Sequence, residues 1–144
     1  MTGRARRPAI TGLNHLTLCV ADLDQSVAFY RDCLGCELRS RGPRSAYLGA
    51  GNLWLCLELS AEASRSPRRD DSHIAFSVAP EDFGALSRAV EARCPLWKSN
   101  KSEGSSIYFL DPDGHRLELH VGSLETRLDH YRANPELGVR VIED

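Results

Sequence analysis

Apolar and polar residues alternate along several short stretches of the chain. In residues 15–20, Leu16, Leu18 and Val20 alternate with His15, Thr17 and Cys19. In 52–59, Leu53, Leu55, Leu57 and Leu59 alternate with Trp54, Cys56 and Glu58. A period of two predicts strands with one aliphatic face and one polar or small face. Between these strands the period changes. Val27, Tyr30 and Leu34 fall on one helical face, Asp24 is placed to cap that helix, and Gly35 is placed to end it.

The same order occurs again further along. HLTLCVADLD from His15 and HIAFSVAPED from His73 share the opening histidine, a Val-Ala step and a closing aspartate. In the second copy Pro80, Glu81 and Asp82 suit a first helical turn, and Phe83, Leu86 and Val90 form the apolar stripe. Three strands are expected after each helix: 36–40, 46–48 and 52–59 in the first copy, and 95–98, 106–110 and 115–121 in the second. Asp111-Pro112-Asp113-Gly114 supplies a hairpin turn in the second copy. The expectation is an α+β fold of two βαβββ modules whose curved mixed sheet surrounds a cavity. Residues 1–10 form an N-terminal extension, 11–60 the first module, 61–71 a linker, 72–122 the second module, and 123–144 a C-terminal helix and tail.

Composition narrows the class. A chain of 144 residues, 42% of them hydrophobic, suits one domain or two small modules sharing a core. A net charge of -2, with acids and bases mixed along the chain, points to neither nucleic acid nor an anionic membrane, and makes a small-molecule substrate the better expectation. The apolar runs are strand-sized and the basic start lacks a signal-peptide core, so a cytoplasmic protein is expected. Five cysteines, an odd number, argue against a fully paired disulfide framework and for reduced, buried thiols. Cys33 and Cys36 are spaced as Cys-x-x-Cys, but at a helix end where the dipole disfavours a thiolate.

The polar strand faces carry the candidate chemistry. His15 and His73 hold equivalent positions in the two copies, so a pseudo-twofold arrangement brings both to one cavity. There Glu118, on the face of Arg116 and His120, can complete a two-histidine, one-carboxylate site. Such a site leaves positions open for substrate and suits manganese, iron or zinc. Glu58 and His120 share the cavity-facing parity and are rival ligands or supporting partners. The segment Lys98 to Ser106 concentrates two lysines and four serines. With Tyr108 on the face of Ser106, it offers the donors that a phosphonate-like anion requires.

These segments, together with LWLCLEL, WKSNKSEGSSIYFLDPDGHRLELHVG and the helix carrying Arg127, resemble the FosA-type fosfomycin-resistance proteins. Those are manganese-dependent glutathione transferases of the vicinal oxygen chelate (glyoxalase and bleomycin-resistance) superfamily. The likeness runs from about Thr11 to Arg132. It implies Mn(II), or Zn, Fe or Co in the same place, on His15, His73 and Glu118. It implies phosphonate contacts from Thr17, Lys98, Ser102, Ser106, Tyr108 and Arg127, and a cavity wall with Trp54 and with Tyr47 near the incoming thiol. A potassium ion is implied at Asn100, Ser102, Glu103, Gly104 and Ser106. The partners implied are fosfomycin and glutathione, and the assembly a homodimer that exchanges modules and shares its sites. Lys101, Glu58 and the basic segment before Ala9 depart from the family pattern. Rival readings on the same scaffold are an epoxide hydrolase, whose glutamate base is replaced here by Ser45, and a transferase using another thiol. A non-catalytic drug-binding protein and an iron dioxygenase stand further off.

Overall fold

Alternating strands leave an aliphatic face that must be covered, and each copy covers it with the helix that follows its first strand. The computed structural model describes residues 5–143; residues 1–4 of the expected N-terminal extension, and Asp144 in the tail, lie outside them. The first copy contains β1 (His15–Val20), α1 (Leu23–Ala28), β2 (Glu37–Arg41), β3 (Ser45–Ala50) and β4 (Leu53–Leu59). The second contains β5 (Ile74–Ser77), α2 (Pro80–Arg93), β6 (Leu96–Lys98), β7 (Ser105–Leu110) and β8 (Arg116–Val121), and α3 (Leu124–Ala133) follows. The order is βαβββ twice. The sheets run β1-β4-β3-β2 and β5-β8-β7-β6, each with one parallel pair, β1 with β4 and β5 with β8, and antiparallel pairs elsewhere.

The expected faces are the observed ones. Leu18, Val20, Leu55 and Leu57 are buried, while His15, Thr17, Cys19, Trp54 and Glu58 are exposed. Leu117, Leu119, Ile107 and Phe109 from the second sheet join the same apolar cluster, together with Val90 of α2. The two modules therefore share one core.

Local details differ from expectation in three places. Helix α1 begins at Leu23, so the orphan N–H of Gln25 is met by the side chain of Asp22 at 3.0 Å, and Asp22 is the cap instead of Asp24. Asp24 pairs with Arg41 at 2.7 Å. The helix continues as a π-helical turn, Phe29–Cys33, and this wider turn shifts the phase of the stripe. Val27 and Tyr30 are buried as expected, but Cys33 is buried in place of Leu34, which is only half-buried; Gly35, at φ +74°, then turns the chain as expected. Finally, His73 stands just before β5 instead of opening it.

The hairpin turn after β7 is buried, and it joins the modules. Asp113 accepts from the backbone N–H of Ala21 at 2.9 Å and from the Ser26 hydroxyl at 3.3 Å. Asp111 accepts from the Tyr30 hydroxyl at 2.7 Å and from the backbone N–H groups of Asp113 and His115. His115 reaches back to the Cys19 carbonyl at 3.0 Å. Burial, followed by the charge of Asp111, pushes the Tyr30 phenol well up, so it keeps its proton and donates.

All five cysteines are free. Cys33 and Cys36 are buried in the core, and burial raises both thiols, Cys36 to about 11. Cys94 is half-buried and pushed up to about 12, again chiefly by burial. The expectation of buried thiols holds for Cys33 and Cys36 but not for Cys19, which is exposed on the polar face of β1. Parity explains the difference.

Two outcomes are expected. Tyr30→Phe removes the hydroxyl donor of Asp111 and should cost on the order of 1.5 to 3 kcal/mol in urea unfolding, as for a buried bond to a charged group. Burial raises the Asp111 carboxyl from its ordinary 3.8, outweighing the opposing effects of His115 and Tyr30. The stability linked to this group is therefore complete below the ordinary carboxylate range and is lost as pH rises through the raised folded value. Relative to Asp111→Asn, the wild-type urea midpoint should fall across that window. In a separate experiment, brief alkylation followed by peptide mass mapping should label Cys19 well before Cys33, Cys36 or Cys94.

Candidate active site

Strand β8 sends Arg116, Glu118 and His120 to its polar face, and its parallel pairing with β5 sets Ala75 beside Glu118. His73, immediately before β5, reaches the same carboxylate. Its Nε2 lies 2.9 Å from Glu118 Oε1, and its Nδ1 lies 2.7 Å from the Asp71 carbonyl. A carbonyl can only accept, so Nδ1 carries the proton. A neutral His73 then presents the lone pair of Nε2 directly to a carboxylate oxygen. Two acceptors this close need positive charge between them, either a proton that makes the imidazolium or a cation bound by both. Glu118 is only 6% exposed, which makes an uncompensated charge there costly. This donor set, a neutral imidazole and a buried carboxylate, fits a divalent transition metal.

The other Glu118 oxygen is held from the opposite side. Ser106 Oγ lies 2.7 Å from Glu118 Oε2 and 2.6 Å from His120 Nδ1. With one hydroxyl hydrogen, Ser106 donates to the carboxylate and accepts from His120. The His120 ring is packed closely enough that a Cβ on Gly104, itself at φ +83°, would stand 2.9 Å from its Cε1. His120, a rival ligand in the sequence, thus supports Glu118 through Ser106. Glu58, the other rival, is exposed on the other sheet, opposite Cys19 and Ser45.

Around His73 stand Trp97, with ring centroids 5.3 Å apart, and Tyr108, at 5.8 Å. Lys98 extends its ammonium over the Tyr108 ring at 5.4 Å. Lys98, Ser106, Tyr108, His73 and Glu118 thus form one group on the second sheet. The remaining expected site residues fall into two others. On the first sheet the His15 ring stacks on Trp54 at 4.4 Å, Tyr47 is 6.2 Å from Trp54, and Thr17 pairs in register with Cys56. In the loop before β7, Asn100 donates to the Gly104 carbonyl, and Ser102 donates to Asn100 through both its backbone N–H and its hydroxyl. Arg127 of α3 is paired with Glu103 of this loop at 3.2 Å. A capping box of Ser123 and Thr126 fixes the start of that helix.

Among the described residues, no three histidine, cysteine or acidic side chains come together to hold one ion. His73 and Glu118 meet; His15 stays with Trp54. A cleft of about 1150 Å³ lies between the β3–β4 turn and β5 and includes Trp54 alone of the expected site residues. Sequence reasoning passed over Trp97 and Asp71. Trp97 could have been found from its place beside Lys98, whereas Asp71 acts through a backbone carbonyl and leaves no sequence signal.

Residues 12–119 match the model of the Glyoxalase/Bleomycin resistance protein/Dioxygenase superfamily. The chain is 49% identical over 138 residues to the glutathione transferase FosA of Serratia marcescens, covering 94% of this chain and 98% of that protein. It is 37% identical over 141 residues to the metallothiol transferase FosB of Shouchella clausii, covering 93% and 97%. The crystal structure of the fosfomycin resistance protein FosX from Listeria monocytogenes, complexed with Mn(II) and sulfate ion, aligns at a TM-score of 0.71 and 32% identity, covering 85% of this chain and 99% of that one. With the modules, the paired histidine and carboxylate and these likenesses in agreement, the chain belongs to the glyoxalase and bleomycin resistance superfamily, in the branch of the Fos fosfomycin-resistance proteins.

Proposed function

We propose that this protein is a metal-dependent transferase that inactivates fosfomycin by adding the thiol of glutathione to its epoxide. The observation that carries this reading is Nε2 of His73 2.9 Å from the buried Glu118 carboxylate, beside Lys98 and Tyr108. The thiol-transferase names of the FosA and FosB relatives supply the reaction class. His15, His73 and Glu118 would hold Mn(II). An ion with that donor set supplies Lewis acidity to the epoxide oxygen as the ring opens. Lys98 and Arg127 hold the phosphonate dianion by charge, and Thr17, Ser102, Ser106 and Tyr108 donate hydrogen bonds to it. For Arg127 this requires sharing or leaving Glu103, for Ser106 turning its one hydroxyl hydrogen away from Glu118, and for Ser102 turning its own away from Asn100. Tyr47 and Trp54 form the wall along which the thiol enters, with the Tyr47 hydroxyl available to its sulfur. Asn100, Ser102, Glu103, Gly104 and Ser106 would hold a potassium ion. Fixing both reactants in line contributes several kcal/mol, on the order of what orientation alone supplies in intramolecular reactions.

Shared sites follow from the same reading. His15 belongs to the first sheet and the other two ligands to the second, so we assign His15 of one chain to the His73 and Glu118 of a second chain in a module-exchanged homodimer. The working compartment is the cytoplasm. No helix among the described residues is long and apolar enough to cross a membrane.

Incubating Mn(II)-loaded protein with fosfomycin and, separately, glutathione, cysteine or bacillithiol should yield a glutathione adduct by mass spectrometry. Addition of water would identify a hydrolase instead, and unchanged but tightly bound drug a sequestering protein. Lys98→Ala should lower kcat/KM at least about tenfold, corresponding to roughly 1.5 to 3 kcal/mol for a charged hydrogen bond.

Inactive His15→Ala and inactive Glu118→Ala chains, refolded together, should regain at most roughly a quarter of wild-type activity from randomly formed mixed dimers. Heterodimers that form and stay inactive would refute the shared site.

A further inference from the structure

Arg116 is not among the ligands or the phosphonate contacts, yet its surroundings are those of a fixed part. Its side chain is only 15% exposed. The guanidinium lies over the Trp97 ring, 4.9 Å from the centroid. Its Nη1 donates to the Asp70 carbonyl at 2.5 Å and to Asp71 Oδ1 at 3.1 Å, while its Nε is buried without a partner. An almost desolvated cation with an unused donor is a costly way to anchor a linker, because water or an apolar side chain serves that purpose at lower cost.

What it anchors gives the reason. Asp71 is the residue whose carbonyl takes the Nδ1 proton of His73. Trp97, which neighbours both the guanidinium and, at a tilt of 59°, the His73 ring, is itself tied by its indole N–H to the Leu117 carbonyl at 3.2 Å. Arg116 thus holds two neighbours of the imidazole, the Asp70–Asp71 segment through Nη1 and Trp97 through the guanidinium plane. Both contacts aim Nε2 at Glu118.

We propose that Arg116 is a positioning residue for the metal site: it fixes the Nδ1–H hydrogen bond and the direction of His73 by clamping the Asp70–Asp71 segment and Trp97. This rests on the metal reading of His73 and Glu118 given above. A lysine in its place keeps the charge but loses the planar fork and the stacking. The outer partner of a ligating histidine typically accounts for about ten- to a hundredfold in metal affinity.

The test uses the full chain with two variants, Arg116→Met and Arg116→Lys, and two readouts. Mn(II) affinity is measured by electron paramagnetic resonance titration, and solvent exchange of the His73 Nδ1–H, which the Asp71 carbonyl holds whether the ring is neutral or charged, by ¹H–¹⁵N NMR of the metal-free protein. Arg116→Met should weaken Mn(II) binding about ten- to a hundredfold. It should also speed solvent exchange of the His73 Nδ1–H, with Arg116→Lys falling in between. Wild-type affinity together with an unchanged Nδ1–H exchange rate in Arg116→Met would overturn the proposal, even if thermal stability fell, because that is the pattern of a purely structural clamp. If Arg116→Met does not fold, Arg116→Lys decides by the same two measurements. His73→Ala and Glu118→Ala separate this idea from the reading beneath it. Undiminished Mn(II) binding in both would remove the metal assignment, while the Nδ1–H exchange measurement would still judge the clamp.

Discussion

The buried Asp111–Gly114 turn is the contact on which the arrangement of the two modules depends. Two carboxylates are taken out of water there, and each is met by donors from the other module: Ala21 N–H and Ser26 for Asp113, and Tyr30 for Asp111. A buried charge without such partners would cost several kcal/mol, so the turn tolerates little displacement. It also connects β7 to β8, the strands that carry Ser106 and Tyr108, and Glu118 and His120. Holding the turn against α1 therefore sets the height at which the candidate ligands emerge. Fold and site meet in that constraint.

Much of the fold was legible because the chain states it twice. The alternation around Leu16, Leu18 and Val20, and around Leu53 to Leu59, gave the buried faces correctly, since a strand with one apolar face has one way to bury it. Helix α2 was legible from Pro80, Glu81 and Asp82. The π-helical turn at Phe29–Cys33 was not: a widened turn depends on how Tyr30 reaches Asp111 in the other module, and no local pattern encodes that. The cap of α1 was missed by two residues because both Asp22 and Asp24 have capping chemistry, and only the start at Leu23 decides between them. The role of the Asp-Pro-Asp-Gly turn was likewise half legible. Its shape follows from its composition, its burial only from tertiary contacts.

For the site, repetition was the informative signal. His73 and Glu118 were paired by parity and position, and they meet at 2.9 Å. The hydroxyl of Ser106 was read as an anion donor, but it bonds Glu118 and His120 here, a use that sequence cannot distinguish because a serine offers the same group to either partner. Arg116 and His120 were visible as cavity-facing by parity, without their partners. His15 was placed on the correct face. Its separation from the other two ligands within one chain reflects the sheet to which it belongs.

The register of the two sheets explains why they make unequal contributions to one site. Counting from the repeated histidines, Cys56 of β4 holds the place that Glu118 holds in β8, and Glu58 holds that of His120; Thr17 pairs with Cys56 as Ala75 pairs with Glu118. The backbone frame is thus duplicated while its decoration is not. Where the second sheet offers a carboxylate supported through Ser106, the first offers a short, partly buried thiol whose own pKa is raised, chiefly by burial. A thiol at that position is too short to reach as far inward as a glutamate. An ion held by His15, His73 and Glu118 would therefore meet a gap on the side of the first sheet, where a fourth ligand would stand if the symmetry were complete. On the proposed reading, incomplete symmetry of this kind would leave room for a substrate oxygen on the side of the first sheet, the sheet that carries Thr17, Tyr47 and Trp54.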